Sequence, residues 1–249
     1  MTYAQTPLHW YHIKTAEKRL TDNPRAPIQR MAQKMYIGIA MAAETFPRAG
    51  ASGKIYIIFN KPYGVVSQFT PEAGHRPLSV FNFPRGIYAA GRLDHDSEGL
   101  LLLTDDGGLQ HRLCDPRFKH PRSYWAQVER VPGKAALDRL RAGITLSDGP
   151  CRPVKIRLIK DPGLPPRVPP VRSRKTVPAA WVEITLTEGR NRQVRRMLAA
   201  AGHPVLRLFR CKIGDMAAGE LAQGQWRPLL RDEISALKKS AAAAGMEAL

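Results

Sequence analysis

The chain has 249 residues and a formal net charge of +18, with a pI near 10.3. That length allows one large domain or two small ones with a substantial core. So basic a balance calls for an anionic partner, nucleic acid being the commonest. An apolar run long enough for a helical membrane span is lacking, as is a basic-then-apolar secretory leader, so neither class fits and a cytoplasmic protein is expected.

Cys114, Cys151 and Cys211 are odd in number and far apart. They fit buried thiols in a reducing cytosol better than disulfides or zinc ligands. The histidines are scattered without metal-ligand spacing, so no metal site is expected.

Residues 1–53 read as a mostly flexible basic extension, with room for a short helix over 27–43. From Lys54 the pattern sharpens. Residues 55–59 form a strand stopped by Asn60-Lys61-Pro62-Tyr63-Gly64, and 65–69 suggest another. Residues 86–90, apolar and bounded by glycines, read as a buried strand. Gly91-Arg92-Leu93-Asp94-His95-Asp96-Ser97-Glu98-Gly99 follows, then four leucines and the turn Asp105-Asp106-Gly107-Gly108. Asp94, Asp96 and Glu98 therefore sit on a loop between two apolar strands, where functional side chains are often carried. The acids approach the opening of a calcium loop. The closing bidentate Glu, however, would fall at position 105, an Asp, and the flanks read as strands. Taken alone, the loop reads better as a solvated turn than as a site.

Residues 109–113 begin a short helix ended by Asp115-Pro116. Residues 123–129 alternate with period two, placing Tyr124, Ala126 and Val128 on one side. Residues 132–142 form an amphipathic helix on Ala136, Leu137 and Leu140, with Gly143 as its C-cap. Residues 152–178 mix strand with a proline-rich insertion that carries eight basic residues and one acid. A solvated linker is the plain reading, and a phosphate-contacting loop suits so basic a chain. Residues 181–186 are a strand, and Glu188-Gly189-Arg190-Asn191 turns into a helix over 192–201 ended by Gly202. Val194, Met197, Leu198 and Ala201 form its core-facing stripe. Arg192, Arg195 and Arg196 neighbour one another on another face and repel unless an anion lies near. The acidic loop is a candidate anion. Residues 205–210 return as a strand, and a helix starts near Ser235.

Three ordered stretches resemble the pseudouridine synthases related to the small- and large-subunit ribosomal RNA enzymes. The first is Gly91-Arg92-Leu93-Asp94 with Ser97, Gly99, the leucine run and Gly107. The second is Arg122-Ser123-Tyr124 with Ala126 and Val128. The third is Glu188-Gly189-Arg190-Asn191-Arg192-Gln193-Val194-Arg195-Arg196-Met197 followed by Gly202. The resemblance spans roughly 54–230. It departs from the family in having Arg122 where many members carry Lys, and in showing no S4 RNA-binding pattern at the N-terminus.

The resemblance implies an α+β fold, a pseudouridine synthase core on a mixed, mainly antiparallel central sheet with no S4 domain. The catalytic domain would cover 54–232, with a C-terminal helix and tail over 233–249. It further implies isomerisation of one uridine of 23S ribosomal RNA, without a cofactor and without metal. Asp94 would be the catalytic carboxylate, Tyr124 would stack on the base, and Arg195 would keep Asp94 ionised, with Arg192 and Arg196 as alternatives. Arg92, Arg192, Gln193 and Arg196 would bind substrate, and Arg172, Arg174 and Lys175 would hold the RNA backbone. The partner would be 23S ribosomal RNA or an assembling large-subunit particle, bound by a monomer. The rival reading is a non-catalytic basic RNA-binding or ribosome-assembly protein. Asp94 separates the two, because a scaffold has no reason to hold a carboxylate opposite an arginine cluster.

Overall fold

The computed structural model describes residues 53–246 apart from Ala73, Ser173, Lys175 and Glu220. The extension expected over 1–53, all but its last residue, and Lys175 of the insertion therefore lie outside the described residues. Eleven strands and four α-helices occur among the described residues. In chain order the first are β1 (Tyr56–Lys61), β2 (Tyr88–Ala89), β3 (Glu98–Thr104), α1 (Gly107–Cys114), β4 (Arg122–Glu129) and α2 (Lys134–Ala142). Then come β5 (Thr145–Leu146), β6 (Gly149–Pro150), β7 (Lys155–Ile159), β8 (Ala179–Leu186) and α3 (Gln193–Ala200). The last are β9 (Val205–Ile213), β10 (Met216–Ala217), β11 (Trp226–Pro228) and α4 (Arg231–Met246).

One mixed sheet runs β11-β1-β3-β9-β4-β8-β7, with β2 added to β3 and β10 to β9, while β5 and β6 form a separate hairpin. Every pairing is antiparallel except β3 with β9, where only Glu98↔Phe209 and Gly99↔Arg210 meet. This short parallel seam joins two antiparallel halves. Gly99 makes it possible: at φ +101° a Cβ would lie 2.5 Å from the Arg210 carbonyl oxygen. No side chain fits that approach, which is the physical reason for a glycine there.

Period-two alternation sorts the side chains of the first half. Tyr56, Ile58, Leu100 and Leu102 enter a core with α1 and α4, while Ile57, Phe59, Leu101 and Leu103 enter another beneath Val65, Leu78 and Ile87. Burial on both faces explains the unbroken leucine run. In the second half Ala126, Val128, Val182 and Ile184 pack against Leu137 and Leu140 of α2 and Val194, Met197 and Leu198 of α3. The opposite face of β4 is packed as well, Trp125 stacking on Phe209 with ring centroids 5.8 Å apart.

Several expectations are corrected. Residues 65–69 form no strand. Val65 makes only an isolated bridge to Arg76. The segment's bonding capacity goes partly into the acidic loop, where the Ser67 hydroxyl donates to the Leu93 carbonyl and accepts from the Leu93 amide. The buried strand read over 86–90 shrinks to two residues on the sheet's flank, with Tyr88 62% exposed. Glu98 is not on the loop: it opens β3 and is buried. Cys114 is only partly buried, whereas Cys151 and Cys211 are buried free thiols.

Candidate active site

Where the parallel seam splits, the two halves of the sheet leave a cleft of about 780 Å³. One wall is the loop over 91–97 with Val66 and Ser67. The other is Tyr124, Leu186, Leu208 and the turn 188–193 leading into α3. Asp94 and Tyr124 thus face one cavity from different halves. Cys114, Arg122 and Arg210 line it too.

The loop's shape comes from its own backbone and from its neighbours. The Ser97 amide closes a turn onto the Asp94 carbonyl at 3.0 Å, and the Gly64 amide donates to the His95 carbonyl at 2.7 Å. His95 stacks on His75 with centroids 4.2 Å apart, so the loop leans on the segment after β1.

Arg192 is the pivot of the arginine cluster. It caps α3 at φ 48°, a left-handed conformation that a non-glycine residue adopts only at a cost. From there its guanidinium donates two parallel bonds to Asp96, at 3.0 and 2.7 Å. The same group lies 3.5 Å from the Asp94 carboxylate. Arg195 comes from the next turn of the helix. Its Nη2 donates to the Asp96 carbonyl at 2.7 Å, and its Nε lies 3.4 Å from the Asp96 carboxylate. The expected Arg195–Asp94 pair is therefore corrected: Arg192 is the direct ion partner of Asp94, and Arg195 fixes the loop through Asp96. The reason is reach: from its left-handed cap the Arg192 guanidinium meets both carboxylates, while that of Arg195 ends on Asp96.

Burial pushes the Asp96 carboxyl up, but the Arg192 hydrogen bond and the charges of Arg195, Arg192 and His95 outweigh it and hold the group below the usual range. Desolvation lowers Arg195 despite Asp96 nearby.

The remaining candidates divide. Arg92 is exposed on the cleft rim, 3.5 Å from Gln68. Gln193 is buried in the cleft wall and accepts from the Arg190 amide at 3.0 Å, while its amide nitrogen donates to Glu188. It shapes the turn into α3 instead of presenting a free group. Arg196 points elsewhere, onto Asp148 at 2.9 Å. Arg172 lines a second, smaller cavity of about 270 Å³ with Tyr63, Arg167 and Arg195, separate from the main cleft. There Arg167 lies 4.1 Å above the Tyr63 ring. Arg174 is exposed, 4.0 Å from Glu129.

Three basic residues at or under the cleft had no local signature. Arg207 makes a bidentate pair with Glu98, both bonds 2.8 Å long and both side chains buried. Lys61 is wholly buried and donates to the Pro62 and Val65 carbonyls, and burial pushes its pKa down to about 7. Arg210 is buried in the cleft floor. Among the described residues no group of three or more His, Cys, Asp or Glu is arranged to hold a metal ion. No helix among them is long and apolar enough to cross a membrane.

Comparison with known proteins shows the family. Residues 55–200 match the family model described as RNA pseudouridylate synthase. The chain is 57% identical over 174 residues to ribosomal large subunit pseudouridine synthase E of Xanthomonas campestris pv. campestris, covering 69% of this chain and 93% of that one. It is 48% identical over 183 residues to the protein of the same name from Vibrio parahaemolyticus, covering 74% and 77%. A solved crystal structure of a pseudouridylate synthase is similar at 32% identity with a TM-score of 0.62, over 74% of each chain.

Proposed function

The chain belongs to the RNA pseudouridylate synthase family, and from that premise we propose that it isomerises one uridine of 23S ribosomal RNA to pseudouridine with Asp94 as the catalytic carboxylate. The single observation that carries the residue assignment is the position of Asp94. It is a half-buried carboxylate in the cleft, opposite Tyr124 and within ion-pair reach of Arg192.

The reaction breaks the bond from ribose C1′ to N1 and makes one to C5. Nothing enters or leaves, so the chemistry calls for no cofactor. Positive charge builds on the sugar as the first bond breaks, and a carboxylate beside C1′ stabilises it. Arg192, 3.5 Å away, sets a positive charge beside the Asp94 carboxylate. Tyr124 lies against the base and assists loss of the C5 proton. The target uridine must leave its stack to reach Asp94, and a cleft of about 780 Å³ has room for a flipped nucleotide.

Carbodiimide mapping of ribosomal RNA from a strain lacking the gene tests this function. One 23S pseudouridine should vanish and return on complementation. An unchanged map would overturn the proposal.

The second arginine has a separate expected outcome. Arg195→Ala leaves Asp96 short of a partner and loosens the loop, so activity should fall by about tenfold and the melting temperature should drop. If neither changes, Arg195 plays no part in holding the loop.

RNA is held through charge. Arg172, Arg174 and Lys175 contact RNA backbone in this reading, Arg172 from the smaller cavity that it shares with Arg195. Replacing all three with Ala should flatten the dependence of log affinity on log salt by about 2–3 units, with turnover of bound RNA nearly intact. A salt series on wild type and triple variant reads this directly. An unchanged slope would remove the insertion from RNA docking.

A further inference from the structure

Arg210 is the largest fully buried side chain among the described residues, 1% exposed, yet it lines the cleft. It sits on β9 at the parallel seam. Its Nε donates to the Leu100 carbonyl at 2.7 Å and its Nη1 to the Arg92 carbonyl at 3.5 Å, so it grips both stems of the Asp94 loop. Both of these bonds end on backbone, the guanidinium also engages the Tyr124 side chain, and its Nη2 has no hydrogen-bond partner among the described residues. Burial works against its charge, with Arg122 adding repulsion and Tyr124 opposing both. Buried Lys61 is a second cation close by, which Arg210 also disfavours.

A guanidinium remains charged even so. A buried cation with a spare donor and no carboxylate partner is costly to keep in a folded protein. Catalytic sites retain such groups where negative charge develops during reaction, because a donor fixed in advance need not reorganise.

Building on the reading of this cleft as a uridine-isomerising site, we propose that Arg210 is a further catalytic residue. Its free Nη2 donates to a carbonyl oxygen of the target uracil and stabilises the negative charge that the ring carries once it has left the sugar. When the C1′–N1 bond breaks, its electron pair departs with the uracil and spreads over N1, O2 and O4. C1′ is left electron-poor beside Asp94. The ring turns, a C1′–C5 bond forms from the ring's electrons, C5 gives up its proton and N1 takes one. Atoms and electrons balance with no co-reactant. Arg210 acts in the interval when the ring is an anion, and Asp94 acts on the sugar.

The test compares two RNAs, one with uridine and one with 5-fluorouridine at the target position. Fluorine withdraws charge, so the detached fluoro ring is a more stable anion and depends less on a cation. In single-turnover assays Arg210→Met should slow loss of uridine by about 10²–10³-fold with RNA affinity little changed. The loss with 5-fluorouridine, read by nuclease digestion and chromatography, should be about tenfold or less. Arg210→Lys, which keeps the charge but not the fork, should fall between wild type and Met on both RNAs. Equal slowing on both RNAs would overturn the proposal and leave Arg210 as a clamp on the loop. If the Met variant does not fold, the Lys variant supports the same comparison against wild type, with the same opposing outcomes. Wild type inactive on uridine RNA would instead refute the uridine-isomerising reading, a result distinguishable from an inert Arg210.

Discussion

Asp94→Asn should abolish pseudouridine formation, lowering the single-turnover rate by at least about 10⁴-fold, while RNA affinity holds or improves slightly. The amide keeps the size and planarity of the carboxylate but cannot stabilise positive charge at C1′ or form an ester there. Arg192 retains its two bonds to Asp96, so the loop should stay in place. Removing one negative charge from a cleft that receives phosphates favours binding. Tritium release from RNA carrying C5-tritiated uridine measures the rate, and filter binding measures the affinity. Retained activity would sink the assignment. Asp96→Asn provides the contrast. Its neighbours expect an anion, so it should lower the melting temperature and reduce activity only partway. A calcium requirement or equal losses in both variants would favour a metal loop instead.

Glu98→Gln should cost about 3–5 kcal/mol of folding stability, because it leaves the Arg207 charge buried without its counter-ion. Glu98 and Arg207 have side-chain exposures of 1% and 7%, so solvent cannot compensate. The pair also organises its surroundings, with Gln223 donating to Glu98 and Arg207 to the Pro165 carbonyl of the proline-rich insertion. Against a total of about 5–15 kcal/mol, such a loss brings a domain near unfolding at ordinary temperature. Replacing both partners, Glu98→Leu with Arg207→Met, should recover much of the stability, since an apolar pair of similar volume leaves no stranded charge. Urea unfolding of the single and double variants measures both. Equal destabilisation in the two would mean that local packing matters here and the ion pair does not.

Much of the frame was legible from local pattern. The leucine run after Gly99 and the period-two segment around Tyr124 are strands because alternate side chains must enter cores on the two faces of a sheet. The stripe Val194, Met197, Leu198 is a helix face because a 3.6-residue period brings those side chains to one side. The loop with Asp94 was visible as a polar interruption between apolar strands.

The three arginines after Asn191 were visible as a cluster, but adjacency on a helix does not say which one reaches which acid. Arg192 meets Asp96 across 96 residues of chain, and its left-handed cap conformation decides the encounter. Composition could not separate Glu98 from Asp94 and Asp96, since all three are acids within five residues. The parallel seam buries Glu98 on Arg207 and leaves Asp94 in the cleft.

The sequence by itself determined most of the long strands and helices, the family motifs and the loop that carries Asp94, because each depends on periodicities and turn residues within a few positions. Only the tertiary structure decided that 65–69 stays out of the sheet, that Arg196 turns to Asp148, and that Lys61 and Arg210 lie buried around the loop. Burial and charge pairing depend on what other segments bring to the same place, and an isolated stretch of chain carries no record of that.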